Sequence, residues 1–166
     1  MPFAILIFAA LIGMDQWLKV WSLAHLQTDA FLPVVQNVLS LILTFNTGAA
    51  WNLFAGATLF LAVLRMVVGL GILVYLWKDK PRGIAFGSLL LIAAGAVGNA
   101  IDVLWYGKVI DMFYSHQLFW ITQKMYGQPF PIFNIADLCV VSGTVLLVAS
   151  SLFTSKAEAK TRVSGA

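Results

Sequence analysis

Charged residues are scarce in this chain. Only 10% of its 166 residues are charged, against roughly 25% in soluble domains. In contrast, 61% are hydrophobic and the mean hydropathy is +0.91. This composition excludes a soluble globular domain and predicts an integral membrane protein. The net charge is only +3, and no run of basic residues could follow a phosphate backbone. Nucleic acid is therefore not an expected partner.

Cysteine and histidine are also sparse. The single Cys excludes a disulfide framework. The two histidines, His25 and His116, stand far apart in the sequence, with no Cys or Glu near either. Because a metal site needs several such ligands together, no metal and no cofactor are expected.

Long apolar runs, by contrast, are present. Crossing about 30 Å of hydrocarbon takes about 20 mostly apolar residues in a helix, since a helix satisfies its own backbone hydrogen bonds. Four stretches qualify as spans of a single membrane domain, residues 1–166. They lie at about 3–23, 58–77, 84–104 and 135–153.

Basic residues cluster on one side of these spans. Lys78, Lys80 and Arg82 lie in the short link between the second and third spans, and three more basic residues follow the fourth. The positive-inside rule therefore predicts that both termini are cytoplasmic and that the two longer connections lie outside the cell membrane.

The two outer connections carry different patterns. Within an outer β segment at about 30–57, residues 39–46 alternate apolar and more polar side chains, which is typical of a strand. Residues 112–128 mix aromatic and polar side chains at helical spacing and predict an interfacial helix, with an irregular loop as the alternative. The expected fold is an all-α polytopic membrane protein with four transmembrane helices, a small extracytoplasmic β-sheet and an extracytoplasmic interfacial helix.

Polar side chains gather at the outer ends of the predicted spans. Four carboxylates and three amides are found there: Asp15, Asp102, Asp111, Asp137, Asn46, Asn99 and Asn134. Carboxylates at membrane depth are costly and indicate function. Two carboxylates held close together cannot both ionise, so one keeps its proton and the other acts as a base. Such an aspartic dyad can activate water and protonate a peptide carbonyl.

Structural explanations compete with function at several positions. Asn134 and Asp137 have the spacing of a helix N-cap and its reciprocal acid. Asp15 and Lys19 are four residues apart and can neutralise each other on one helix face. Arg65, inside the second span, is either a snorkelling side chain or a counter-charge.

Five strings of residues occur in order across most of the chain. They are DQWLK at 15–19, FNTGAAWNL at 45–53, GAVGNAID at 95–102, GKVIDMF at 107–113 and PIFNIAD at 131–137. Together they resemble the ordered motifs of the lipoprotein signal peptidase family, also called signal peptidase II.

The resemblance implies an intramembrane aspartic endopeptidase whose catalytic residues are Asp111 and Asp137. It assigns substrate-binding or supporting roles to seven further residues: Asp15, Lys19, Asn46, Gly48, Asn99, Asp102 and Asn134. The implied substrate is a prolipoprotein with a diacylglyceryl-modified Cys, cleaved on the amino side of that Cys. A globomycin-type inhibitor and membrane lipids are the other implied partners. The implied location is the bacterial inner membrane, with the active site near its outer face.

Two features depart from the family pattern. Val103 stands directly after Asp102, where the family usually has Arg, and the connection from Asp111 to Asp137 is longer than expected. One alternative is therefore a catalytically impaired homologue that binds lipoproteins. Another is a small proton-coupled membrane carrier that uses the same carboxylates as a relay. Within the peptidase hypothesis, the helix dipole favours Asp137 as the base and leaves Asp111 as the acid.

Overall fold

The computed structural model describes residues 2–48 and 56–164, with side chains described as far as residue 153. Five helices and three strands are present in this part of the chain. In order they are α1 (Pro2–His25), β1 (Leu32–Val35), β2 (Leu39–Asn46), α2 (Thr58–Asp79), α3 (Ile84–Tyr106), β3 (Val109–Ser115), α4 (His116–Tyr126) and α5 (Ile135–Ser164). The expected fold, a helical membrane protein with a small sheet and a short additional helix, is confirmed.

Four of the helices are long and apolar enough to cross a membrane: α1, α2, α3 and residues 135–153 of α5. The expected spans end within two residues of these helices. Large apolar side chains such as Phe3, Val67 and Val145 are more than half exposed on them. Such surfaces would be unfavourable in water, and a bilayer supplies their apolar surroundings.

The central helix of the bundle is α3, which packs against α1, α2 and α5. Its contact with α5 depends on glycine. A Cβ added at Gly95 would collide with the backbone oxygen of Ala136, and one at Gly98 would lie 3.3 Å from the Ala136 Cβ. Small residues allow helix backbones to approach this closely. The start of α5 therefore lies directly against the turn of α3 that carries Asn99.

A three-stranded antiparallel sheet, in the order β1-β2-β3, lies beside the helix bundle. The alternating residues 39–46 form β2, as predicted. Strand β2 pairs with β3 so that Thr44 lies opposite Asp111 and Asn46 opposite Val109. This register brings the last residues of β2 next to Asp111. Residues 49–55 of the predicted β segment lie outside the described residues.

The predicted outer helix, 112–128, is wrong in its first four residues, which belong to β3. Met112 and Ile110 are fully buried in an apolar cluster with Leu41 and Leu43 of β2. Burial against β2 thus overrides the local helical spacing. The helix itself, α4, is present and excludes the alternative of an irregular loop.

Residues at both ends of α4 explain its bounds. The Ser115 side chain accepts a hydrogen bond from the Leu118 N–H, as an N-cap does, and Gly127 ends the helix in the left-handed region with φ 68°. Trp120 and Tyr126 are exposed on this helix. Exposed aromatic side chains of this kind are typical of a helix that lies in a membrane interface.

Candidate active site

Asp111 and Asp137 are connected through a single residue, Asn134. Asp111 is buried on β3, and Asp137 is half-buried in the first turn of α5. The side-chain Nδ2 of Asn134 donates to Asp111 Oδ1 at 2.7 Å, and its backbone N–H donates to Asp137 Oδ2 at 3.2 Å. The two carboxylates that the sequence singles out therefore belong to one hydrogen-bonded group.

Asn134 also caps α5. Its Oδ1 accepts the Asp137 N–H at 2.9 Å, which completes a reciprocal pair with the contact from its own N–H. The predicted capping interaction is thus confirmed. Capping does not exclude a second role, because it leaves Nδ2 for Asp111, for Asn99 Oδ1 at 2.9 Å and for the Ile110 carbonyl at 3.2 Å.

Asn99 supports Asp137 from α3. Its Nδ2 donates to Asp137 Oδ1 at 2.8 Å, and its Oδ1 accepts hydrogen bonds from Asn134 Nδ2 and from Lys19 Nζ. Asn99 is buried, and both polar atoms of its side chain are already bonded. It is therefore a supporting residue of the carboxylate group.

Asn46 approaches Asp111 from the other side, at the end of β2. It stands two residues after Thr44, the residue opposite Asp111 in the sheet, and its Oδ1 accepts the Gly48 N–H at 2.9 Å. The Gly48 carbonyl accepts a hydrogen bond from Arg65 Nη2 at 3.4 Å. Arg65 thus bonds a backbone carbonyl of the chain that follows β2.

Burial has a large effect on Asp111. Burial, followed by the neighbouring charge of Asp137, raises the pKa of Asp111 to about 7. The charge of Lys19 and hydrogen bonds from Asn46 and Asn134 oppose this rise. Both protonation states of Asp111 are thus accessible near neutral pH, as a group that exchanges protons with a substrate requires.

A cleft of about 500 Å³ opens beside Asp111. Its walls come from the end of β2 and from the segment that leads into α5. The lining residues are Thr44, Phe45, Asn46, Thr47, Asp111, Gln128, Pro129, Pro131 and Ile132. The volume is within the usual range of small-ligand sites. Asp111 and Asn46 are the sequence-predicted residues that line it.

Asp15, Lys19 and Asp102 form a buried ionic cluster. Lys19 Nζ lies 2.7 Å from Asp15 Oδ2 and 2.7 Å from Asp102 Oδ2. The neutralisation of Asp15 by Lys19 is therefore confirmed, and Asp102 is a second partner of the lysine. All three side chains are almost completely buried, and none lines the cleft.

Sequence reasoning misses Gln16. Its Nε2 donates to Asp102 Oδ1 at 2.8 Å and to the Gly98 carbonyl at 3.2 Å, so it joins α1 to α3. The sequence contains one indication of this role, because Gln16 is a polar residue inside a predicted span and stands next to Asp15.

Val103 occupies the position that departs from the pattern of the resembled family. It packs in a buried apolar cluster with two other residues, Ala62 and Val109.

Among residues 2–48 and 56–164, no group of three or more His, Cys, Asp and Glu side chains is arranged to hold a metal ion. The carboxylates of the site are bonded by amides, backbone N–H groups and Lys19.

The fold and site define a class of protein: a multi-pass membrane protein in which two carboxylates are linked through Asn134 and one of them, Asp111, lines a cleft. Residues 7–153 match the family model of signal peptidase (SPase) II. The chain therefore belongs to the signal peptidase II family and is a bacterial membrane hydrolase of the signal peptidase type. The resemblance of the five sequence strings is confirmed.

Relatives and solved structures agree with this assignment. The chain is 51% identical to a lipoprotein signal peptidase of Deinococcus radiodurans, over 95% of this chain and 83% of that protein. It is 37% identical to one of Clostridium acetobutylicum, over 86% of this chain and 89% of that protein. A bacterial membrane enzyme solved by the in meso method at 2.3 Å resolution is similar with a TM-score of 0.80 and 26% identity, over 93% and 90% of the two chains.

Proposed function

We propose that this chain removes signal peptides from prolipoproteins by an aspartic mechanism, with Asp111 and Asp137 as the catalytic pair. The observation that carries the proposal is the link between these carboxylates through Asn134, next to a cleft that Asp111 lines. The substrate class is supported by relatives that are named lipoprotein signal peptidases.

The environments of the two carboxylates support different roles. Asp137 lies in the first turn of α5, where the helix dipole favours an anion, and it accepts hydrogen bonds from Asn99 and Asn134. It is the general base. Asp111, with its pKa raised to about 7, holds a proton more readily and is the general acid.

In the proposed reaction, Asp137 takes a proton from water while the water oxygen attacks the scissile carbonyl carbon. Asp111 gives its proton to the carbonyl oxygen, which produces a neutral tetrahedral diol. As the diol collapses, the carbon–nitrogen bond breaks and the leaving nitrogen receives the proton from Asp137. A hydroxyl of the diol returns a proton to Asp111, so both carboxyl groups recover their starting states.

Substrate recognition divides between lipid and peptide. We propose that the substrate Cys carries diacylglyceryl and that cleavage occurs on its amino side, with the acyl chains remaining in the bilayer. The peptide would enter the cleft, where Asn46 is placed to bond its backbone. Asn99 is assigned a supporting role, because it is buried and does not line the cleft.

The proposed location is the bacterial inner membrane with both termini in the cytoplasm. The basic residues Lys78, Lys80 and Arg82 lie in the last turn of α2 and in the link to α3, far from Asn99 and the sheet. The positive-inside rule then orients the cleft towards the outer face of the membrane.

The direct test uses the purified chain in lipid vesicles and two peptides that differ only in the diacylglyceryl group on Cys. Mass spectrometry should find cleavage on the amino side of the modified Cys in the lipidated peptide alone. Equal cleavage of both peptides would contradict the substrate class. Binding of the lipidated peptide without cleavage would instead indicate an impaired homologue, and proton transport without cleavage would indicate a carrier.

A further inference from the structure

Two carboxylates outside the catalytic pair hold backbone groups of the active site. Asp15 Oδ1 accepts the N–H of Ala136 at 2.9 Å, and Asp102 Oδ2 accepts the N–H of Ile110 at 3.1 Å. Each of these N–H groups belongs to the residue directly before one of the two catalytic aspartates. Asp15 and Asp102 therefore control where β3 and α5 present those aspartates.

Lys19 connects the two carboxylates. Its Nζ lies 2.7 Å from Asp15 Oδ2, 2.7 Å from Asp102 Oδ2 and 3.1 Å from Asn99 Oδ1. A lysine ammonium has three N–H donors, and these contacts occupy all three. The residue is only 1% exposed. Lys19 thus has neither a free donor nor an open surface for a substrate.

We infer that Lys19 is a positioning residue that sets the separation of Asp111 and Asp137. It holds Asp15 and Asp102 at one point, and these in turn hold the backbone ahead of each catalytic residue. The inference rests on the proposed function. It also changes the role that the resemblance assigns to Lys19, from substrate binding or general support to alignment of the catalytic pair.

Two features of the packing support this inference. Gly98 lies so close to Asp15 that an added Cβ would be 3.0 Å from Asp15 Oδ2, so the contact has little room to shift. In addition, Asn99 extends the cluster from Lys19 to Asp137, since its Nδ2 donates to Asp137 Oδ1 at 2.8 Å. The cluster therefore contacts the catalytic pair through three separate routes.

The burial of these charges is costly. Two carboxylates and one ammonium lose their hydration, and an apolar cluster of the same size is often equally or more stable. Hydrogen bonds to fixed partners define atomic positions more narrowly than apolar contacts do. Accurate spacing of Asp111 and Asp137 would therefore explain why charged residues are buried here.

The experiment compares Lys19→Met with Lys78→Met, which removes a cation from the exposed inner end of α2. Both full-length proteins are assayed in vesicles with the lipidated peptide. A displacement of about 1 Å at a catalytic group can lower the rate by about 100-fold, so kcat of Lys19→Met should fall by about that factor. KM should stay unchanged, because Lys19 does not contact the peptide, and Lys78→Met should retain the wild-type kcat.

A second measurement tests, without the cleavage reaction, whether Lys19 keeps Asp15 and Asp102 bonded to the two backbone N–H groups. Hydrogen exchange at the Ile110 and Ala136 amides should become faster in Lys19→Met but not in Lys78→Met. Lys19→Arg keeps the charge and provides a testable variant if the Met substitution prevents folding. Its planar guanidinium cannot reproduce three contacts from one nitrogen, so kcat should again fall while KM is retained.

Three results would overturn the inference: wild-type kcat in a folded Lys19 variant, a loss confined to KM, or unchanged exchange at both amides. Failure of the proposed function looks different. In that case the wild-type protein itself would not cleave the lipidated peptide. The hydrogen-exchange comparison would still test whether Lys19 holds the backbone at Ile110 and Ala136.

Discussion

The side-chain amide of Asn134 donates to the carboxylate of Asp111 at a distance of 2.7 Å, while the same residue caps the helix that begins with Ile135 and carries Asp137. One residue thus determines the start of α5 and links the two carboxylates. The two roles use different atoms, Nδ2 for Asp111 and Oδ1 for the cap. They can therefore be separated by mutation.

Asn134→Ser and Asn134→Ala should lose activity to a similar extent but differ in thermal stability. Both variants lose the buried hydrogen bonds of Asn134 Nδ2, so both should have a lower Tm than the wild type. Serine is also a good N-cap, whereas the Ala variant loses the cap at a further cost of about 1 kcal/mol, so its Tm should be the lower of the two. Neither variant can donate to Asp111 through a side-chain amide, so both should cleave more slowly. Thermal unfolding and cleavage assays would test this. Full activity in Asn134→Ser would show that capping is the only role.

Replacing either catalytic candidate by Asn should abolish cleavage while the protein remains folded. Because the two carboxylates act as a unit, the double variant should be no slower than the single ones. Asp29→Asn is the matched control, since Asp29 is exposed in the connection between α1 and β1. Substantial turnover by folded Asp111→Asn or Asp137→Asn would reject the dyad.

Asn46→Ala and Asn99→Ala should affect different kinetic constants. Each substitution removes hydrogen bonds worth about 1 to 3 kcal/mol at a buried site, equivalent to about tenfold or more in rate or binding. Asn46 lines the cleft, so its loss should mainly raise KM. Asn99 bonds Asp137 and Lys19, so its loss should mainly lower kcat. The opposite pattern would reverse these assignments.

Activity should decline on the alkaline side as pH rises through about 7, the pKa of Asp111, because the acid loses its proton. Stability should change in the same direction. The raised pKa means that the folded protein binds this proton more tightly than the unfolded chain does. Tm should therefore fall as the pH rises from 3.8, the ordinary pKa of Asp, to about 7, the pKa of Asp111 in the folded protein. In Asp111→Asn that part of the pH dependence of Tm should disappear. Its persistence would assign the effect to another group.

A globomycin-type inhibitor should bind at the cleft beside Asp111. We expect it to slow hydrogen exchange at Gln128 and Ile132, which line one wall, while exchange at the Lys78 end of α2 stays constant. EDTA should not reduce cleavage, since the proposed mechanism uses carboxyl groups alone. Activity that EDTA abolishes and added metal restores would contradict this mechanism, and protection elsewhere on the protein would place the inhibitor site away from the cleft.

The sequence by itself determines those features of this protein that depend on residues close together in the chain. The four long helices follow from apolar runs whose length is set by bilayer thickness, and strand β2 follows from the alternation in residues 39–46. The reciprocal pair of Asn134 and Asp137 could also be recognised, because a capping box lies within three residues of sequence. The five family strings likewise required no structure.

The tertiary structure decides which polar groups become partners. Residues 112–115 form a strand because Met112 is buried against β2, an effect that local helical spacing cannot include. The spacing of four residues between Asp15 and Lys19 correctly predicts their ion pair. It does not indicate that Lys19 also pairs with Asp102. Asp15 and the Ala136 N–H are separated by 121 residues in sequence. A buried hydrogen bond over that distance exists only after the helices have packed, when glycines on α3 have allowed α5 to approach.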